Sequence, residues 1–267
     1  MDWKKTKTIF ILTFLILNIF LGYQLSQKMD KSKLEAVADQ PIEKRLADNN
    51  IDYKDKLPQS YNDRQTLISG QRAPFSADEI KSSKASRLDS SSTDTTLVFN
   101  LKKPQDLDKE DLVKDVTQFL KDEVYRGDEY RFYKKDTKSH KIWFTQIYQG
   151  QPLFFDTDNG MNRPSGMVMF EWNNKGQLTR YTQTFISVYR QGTKQEIISP
   201  MKALEKIFTT NHLSSGDKIN KIVLGYYSLA NVEDVQVYAP TWSIETEDAH
   251  FLVNAIDSSI QEIDREQ

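Results

Sequence analysis

KKTKTIFILTFLILNIFLGYQLSQK, residues 4–28, contains 20 consecutive uncharged residues between Lys7 and Lys28. As an α-helix, at about 1.5 Å per residue, this run would extend about 30 Å, the thickness of the hydrocarbon core of a bilayer. We therefore expect a transmembrane helix over residues 8–27.

The residues that flank this segment predict whether it is cleaved and how it is oriented in the membrane. Its end reads LGYQL, without small residues of the Ala-x-Ala kind, and the chain has no cysteine, so we expect an uncleaved anchor. Three lysines precede the apolar run, and positive flanks stay in the cytoplasm. The expected localisation is a single pass of the plasma membrane, with residues 1–7 cytoplasmic and everything from residue 28 onward extracytoplasmic.

The anchor itself contains candidates for contacts with other membrane helices. Lipid tails are as apolar as leucine, so selective association depends on close packing and on polar side chains. A stripe at three- to four-residue spacing begins at Thr13, and Asn18 lies about 100 to 150 degrees away from it around an ideal helix. An alternative for Asn18 is a tolerated polar residue near the end of the span. The residues predicted to contact membrane partners are Thr13, Phe14, Leu17, Asn18 and Phe20.

Composition limits what the remaining chain does. Hydrophobic residues make up 38% and aromatic residues 11% of the chain, which is enough to fill a core. The 36 basic and 38 acidic residues nearly balance, which argues against a nucleic-acid partner. With no cysteine, an exported domain depends on packing alone for its stability.

The pattern after the anchor predicts a juxtamembrane stalk and a small N-terminal subdomain over residues 28–96. A short helix is expected after Pro41, and a weak strand at Thr66–Ser69. The serines and threonines between residues 82 and 96 predict the least structured part of the exported region, and a domain boundary lies there.

Residues 97–198 form the first of two predicted halves. A strand at Leu97–Leu101 precedes a helix whose apolar residues recur at helical spacing from Leu112 to Val124. Further strands are expected at residues 130–134, 141–148, 167–172 and 177–189, the last two joined by a tight turn at Asn173–Gly176.

The second half, residues 199–267, repeats this order. Ser199 caps a helix that begins at Pro200, and strands are expected at residues 219–229, 235–238, 241–246 and 251–256. A helix followed by antiparallel strands, twice over, predicts an α+β fold: two helix-plus-antiparallel-sheet halves behind one transmembrane helix.

No pattern of reactive side chains indicates catalysis. Ser199 and Lys202 have the spacing of a serine nucleophile and its lysine base, but the same serine lies where a helix cap belongs. The three histidines are scattered, without the spacing of a helical zinc motif. Asp156–Gly160 is similar to a calcium loop in the wrong register, and a turn is the preferred interpretation. We predict no catalytic, cofactor-binding or metal site.

Aromatic pairs and triplets occur along the predicted strands. About half of such residues face the core, and the others could line a groove for a peptide or a partner domain. The groups are Tyr130, Phe132 and Tyr133; Trp143 and Phe144; Phe154 and Phe155; and Tyr226 and Tyr227.

Two stretches carry a resemblance to a known family. The opening MDWKKTKTIFIL, which continues into FLILNIFLGY at residues 14–23, resembles the start of the YycI family of low-GC Gram-positive bacteria. PTWSI at residues 240–244, with FLVNA at residues 251–255, resembles the C-terminal end of that family. The chain is therefore identified as a member of it.

The resemblance implies a regulatory protein without catalytic residues or cofactors. Members act with a companion membrane protein, YycH, and adjust an essential sensor histidine kinase of the WalK (YycG) type, which controls cell-wall metabolism. Contacts are expected between membrane helices and between exported domains, and the sign of the regulation stays open. Two alternatives are an anchored sensor that binds a peptide or wall fragment, and a cell-wall hydrolase that uses Ser199 and Lys202.

Overall fold

A computed structural model of the chain describes residues 7, 14–15, 17–18, 20–22, 40–80, 85–108, 111–154, 165–232 and 235–263. The chain divides into two compact units, Met1–Asp52 and Tyr53–Gln267. The first unit contains helix α1, Ile42–Asp48, which begins after Pro41 as expected. Among the described residues, no helix is both long enough and apolar enough to cross a membrane.

The second unit is mostly sheet. Its helices are α2 (Ala77–Ile80), α3 (Leu112–Glu123) and α4 (Pro200–Thr209), with short 3₁₀ turns at Lys54–Lys56 and Gly127–Glu129. Its strands are β1 (Arg64–Arg72), β2 (Ser86–Leu88), β3 (Thr96–Asp106), β4 (Tyr130–Asp136), β5 (Lys141–Tyr148), β6 (Gln151–Phe154), β7 (Met167–Trp172), β8 (Gln177–Thr184), β9 (Ile186–Glu196), β10 (Ile219–Val232), β11 (Val235–Thr246), β12 (His250–Asn254) and β13 (Ile260–Ile263).

One group of strands supports α3. Strands β2, β3, β8, β7, β5 and β4 lie side by side in that order, all antiparallel. The apolar face of α3 presents Val116, Phe119 and Leu120 to this sheet. The ring of Phe119 packs edge-on against Phe170 and Tyr181, with ring centroids 6.0 Å apart in both pairs. The core of this group is therefore an aromatic layer between helix and sheet.

A second group of strands is arranged around β11. One edge of β11 pairs with β10, while the other edge pairs first with β1 and then with β12. Helix α4 lies against β11 and β12. Trp242 is fully buried, and its indole nitrogen donates to the carbonyl of Ile198, 2.9 Å away, just before α4. This bond holds the start of the helix to the middle of the sheet.

The two groups are joined at two places. Strands β8 and β9 form one run that is interrupted only at Phe185, with β8 in the first group and β9 paired to β1 in the second. The hairpin β5–β6 leaves the first group, and β6 then pairs in parallel with β10. All 13 described strands are thereby connected through hydrogen-bonded neighbours.

The coarse fold prediction is confirmed, because the described fold is mixed α+β with few helices. The helices at residues 112–123 and 200–209 and the strands at residues 141–148 and 167–172 lie where the sequence predicts them. The transmembrane helix, the relatedness of two halves and the domain limits stay predictions.

Several strand limits were wrong. The run predicted at residues 177–189 continues to Glu196, and β2, β6 and β13 were not anticipated. Residues 235–246 form one strand, where two were predicted, at residues 235–238 and 241–246. Proline lacks an N–H, and Pro240 lies where the neighbour of β11 changes from β1 to β12, so the ladder loses little there.

The first testable prediction concerns Asp89, beside the β2–β3 pair. Its carboxylate accepts hydrogen bonds from the backbone and side chain of Ser91 and from Asn100. These bonds, the Ser91 hydroxyl first, lower the pKa of Asp89 from 3.8 to about 2. Because the folded pKa is below the unfolded one, the ionised group stabilises the fold above about pH 4, and this contribution is lost as the pH falls through about 2. Asp89→Asn should remove it.

The measurement is urea unfolding of wild type and Asp89→Asn between neutral pH and about pH 2. The difference in unfolding free energy between the two proteins should be constant near neutral pH and should shrink in the acid range. A difference independent of pH would contradict this role of the carboxylate.

Candidate functional site

The predicted membrane-contact residues lie in the first unit. Phe14, Leu17, Asn18 and Phe20 are helical and exposed, while Thr13 lies outside the described residues. The exposed fractions are 64% for Phe14, 50% for Leu17 and 55% for Phe20. These large apolar side chains are therefore exposed among the described residues, and water is an unfavourable environment for them.

Ser199 acts as the predicted helix cap. Its hydroxyl oxygen accepts a hydrogen bond from the backbone N–H of Lys202, 3.2 Å away, at the start of α4. The side chain of Lys202 is exposed. Ser199, the serine of the pair that the sequence suggested for hydrolysis, therefore serves to begin a helix.

The three histidines have separate surroundings. The ring of His140 packs near Trp172. The Nδ1 atom of His212 lies 3.7 Å from the Oε2 atom of Glu262. The Nε2 atom of buried His250 lies 2.7 Å from the hydroxyl of Ser243. Within the described ranges, no three His, Cys, Asp or Glu side chains are grouped so that they could hold a metal. Asp156–Gly160 lies outside these ranges.

Most of the aromatic groups belong to the core. Tyr130, Trp143, Phe144, Phe154, Tyr226 and Tyr227 are buried, and Phe132 is exposed. Phe155 lies outside the described residues. The buried members therefore fill the interior, whereas Phe132 lies at the surface.

A cleft of about 320 Å³ lies beside α3. Its wall consists of Ala85, Gln105, Asp115, Gln118, Phe119, Asp122 and Glu123. A carboxylate oxygen of Glu123 accepts from the Ala85 N–H, and one of Asp122 accepts from the Gln118 amide. These bonds give the carboxylates structural partners within the fold.

The most unusual polar contact lies where β8 passes into β9. The side-chain amide of Gln146, on β5, donates to the carbonyl of Ile186 at 3.0 Å and accepts from its N–H at 2.9 Å. Gln146 is 3% exposed and thus buried. Its amide has the donor and acceptor of a peptide group, so it takes the place of a neighbouring strand beside Ile186.

Gly166 leaves the space for this amide. A Cβ atom at Gly166 would collide with Oε1 of Gln146. Nearby, Thr184 Oγ1 donates to the carbonyl of Ser165, and the hydroxyl of Tyr130 donates to the carbonyl of Thr184 at 2.7 Å. Burial raises the pKa of the Tyr130 hydroxyl, so it remains a donor. The junction of the two groups of strands is thus a buried polar network whose members are hydrogen-bonded to one another.

Sequence reasoning missed Gln146. It lies in the run IWFTQIY, where a polar residue fits any half-buried strand, and its partner is 40 positions further along the chain. No local signal distinguishes this glutamine from a solvated one.

Comparison with protein families finds a match to a family described as YycI protein, over residues 28–256. This agrees with the resemblance carried by the two termini. The comparison with curated proteins found no match.

Three proteins are among the solved structures that the chain matches. An uncharacterized protein from Eubacterium rectale ATCC 33656 has 10% identity and a TM-score of 0.46, with 81% of this chain and 89% of that one covered. YycH from Bacillus subtilis has 14% identity and a TM-score of 0.39, covering 79% and 54%. The YpeB C-terminal domain of Bacillus megaterium has 14% identity and a TM-score of 0.39, covering 74% and 90%.

The junction network generates a prediction for Gln146→Leu. Leucine has similar size but leaves the N–H and carbonyl of Ile186 buried without these partners. We expect a loss of about 2–4 kcal/mol in the free energy of unfolding. Gln118→Leu is the matched control, because Gln118 is exposed, and it should change stability by less than about 0.5 kcal/mol. Chemical denaturation measures both, and equal stabilities would contradict the role of the amide.

A separate prediction concerns Ser199→Ala. Loss of the cap should lower the free energy of unfolding by about 0.5–2 kcal/mol. Because we expect no hydrolytic activity, release of fragments from purified cell wall should be the same with wild type, variant and buffer. Cleavage by wild type that disappears in a stably folded variant would overturn this expectation.

Proposed function

The chain belongs to the YycI family, and on this premise we propose that it is a membrane-anchored extracytoplasmic regulator of an essential sensor histidine kinase of the WalK (YycG) type. The observation that carries the proposal is the family match over residues 28–256, which includes nearly all of the region expected to be exported. The regulated process is the control of cell-wall metabolism by this two-component system.

The proposed localisation is the plasma membrane, with a cytoplasmic N-terminus. The exposed apolar side chains at residues 14, 15, 17, 20 and 21 support it, because a bilayer or neighbouring helices would cover apolar surface that is exposed among the described residues. Phe14, Leu17, Asn18 and Phe20, together with Thr13, are the proposed contacts to partner helices.

The proposed mechanism is binding without chemistry on a substrate. Ser199 has a structural role as a helix cap, which supports a regulator over a hydrolase. Most of the described aromatic residues are buried in the core, so they do not favour the sensor alternative. The regulator acts with a YycH-like companion protein, through membrane helices and exported domains.

Affinity capture of the intact protein from membranes tests the proposal. We expect a WalK-type kinase and a YycH-like protein to co-purify with it, because both are proposed to contact its anchor and exported region. An unrelated single-pass protein at the same membrane level is the control. Absence of both proteins from the captured material would refute the proposed partnership.

The anchor has its own prediction. Asn18→Leu removes a side-chain amide whose hydrogen bond to a neighbouring helix contributes on the order of 1 kcal/mol, so it should weaken one of the two associations and spare the other. Replacing residues 8–27 with an unrelated spanning helix should weaken both. Crosslinking to each partner at equal membrane levels is the measurement. Unchanged pairing and unchanged kinase output with the unrelated helix would show that the anchor only tethers.

A further inference from the structure

Strand β9 has one edge that no described strand occupies. Its other edge pairs with β1, from Arg72 opposite Ile186 to Leu67 opposite Gln191, without a register shift. Among the described strands, β1 is its only neighbour. Edges of this kind present unpaired N–H and carbonyl groups that favour pairing with another chain.

The direction of each backbone group on β9 follows from two observed contacts. The carbonyl of Phe185 accepts from the N–H of Ala73, so Phe185 faces the chain that continues β1. The N–H and carbonyl of the next residue, Ile186, instead bond to the Gln146 amide on the opposite side. Backbone groups alternate along an antiparallel strand, so Val188 and Arg190 point the same way as Ile186.

The Gln146 amide therefore bonds to the first outward-facing residue of this edge, Ile186. The next two residues that face outward are Val188 and Arg190. The peptide groups of Val188 and Arg190 provide two donors and two acceptors, and no described strand pairs with them. The edge is approachable near Arg190, because Arg190 and the adjacent Tyr189 are exposed, Tyr189 by 59%, while the side chain of Val188 is half-buried.

A bulge ends the open stretch. The pairing passes from Leu67 opposite Gln191 to Gln65 opposite Gln195, so the residues between the two positions on β9 bulge out of the ladder. Gly192 in this bulge has a φ of +70°, a left-handed conformation that suits glycine. Bulges end edge pairing in natural sheets, so the site accommodates only a short strand.

The charge of the two-stranded ribbon formed by β1 and β9 indicates which residues a strand added at this edge would contain. Strands β1 and β9 together have the basic residues Arg64, Arg72, Arg190 and Lys194 and a single acidic residue, Glu196. This local excess of positive charge contrasts with the whole chain, whose net charge is −2. An extended segment with carboxylates would complement the ribbon, and one with lysines would be repelled.

We propose that the open edge of β9 at Val188 and Arg190 binds a short extended acidic segment of another protein by strand addition. Its main chain would continue the ladder that Gln146 begins, and its carboxylates would lie near Arg190 and Lys194. The assignment concerns recognition by the exported region and does not depend on the identity of the regulated kinase.

The test uses the full chain in phospholipid nanodiscs and amide exchange read by NMR. Without peptide, the amides of Val188 and Arg190 should exchange much faster than those of Tyr189 and Gln191, which face β1. A short peptide that alternates glutamate with valine should slow the exchange of the first pair by at least about tenfold. The same peptide with lysine for glutamate, or with N-methylated amides, should give no protection.

Two variants separate charge from general effects. Arg190→Glu should weaken binding of the acidic peptide by at least about tenfold. Lys175→Glu makes the same change in net charge at the exposed turn between β7 and β8 and should leave the affinity unchanged. Protection of Val188 and Arg190 before peptide is added, absence of binding, or equal binding of acidic and lysine peptides would overturn the proposal.

Discussion

The fold depends on one strand run that belongs to two groups of strands. Residues 177–184 pair in the group that supports α3, and residues 186–196 pair with β1 in the group around β11. Where the run changes neighbours, Ile186 would have buried peptide groups without a strand beside it. The side-chain amide of Gln146 supplies the missing donor and acceptor, and Gly166 leaves room for it. Buried backbone groups must be paired, so the fold requires this or an equivalent solution.

This solution also shapes the surface. Because a side chain and not a strand continues the pairing at Ile186, the ladder stops after one position, and no described strand occupies the edge of β9 beyond it. The bulge at Gly192 limits that opening from the other end. The contact between Gln146 and Ile186 therefore joins the two groups of strands, and it also limits the edge of β9 to a short stretch, the one proposed for recognition.

The proposed regulator would combine two physical environments. In the proposed arrangement, the apolar N-terminal segment would select partners by packing in lipid, where the hydrophobic effect gives no preference among helices. The proposed extracytoplasmic region would select partners in water, where strand addition and charge discriminate. Two contacts on one chain raise the effective concentration of each partner at the second site. A binding protein needs no reactive centre for this purpose, in agreement with the use of Ser199 as a cap.

Local sequence determined the features that depend on residues close together in the chain. The spacing of apolar residues located α3, Ser199 and Pro200 located the start of α4, and the terminal motifs identified the family that the comparison then confirmed. The uncharged run predicted the anchor, and helical spacing together with the polar side chain of Asn18 predicted its contact residues. Only the tertiary structure decided that β1 lies between β9 and β11, that β6 bridges the groups, and that Gln146 pairs with Ile186. The physical reason is distance along the chain: these contacts join segments tens to more than a hundred residues apart, and the residues involved have the same local pattern as any half-buried strand.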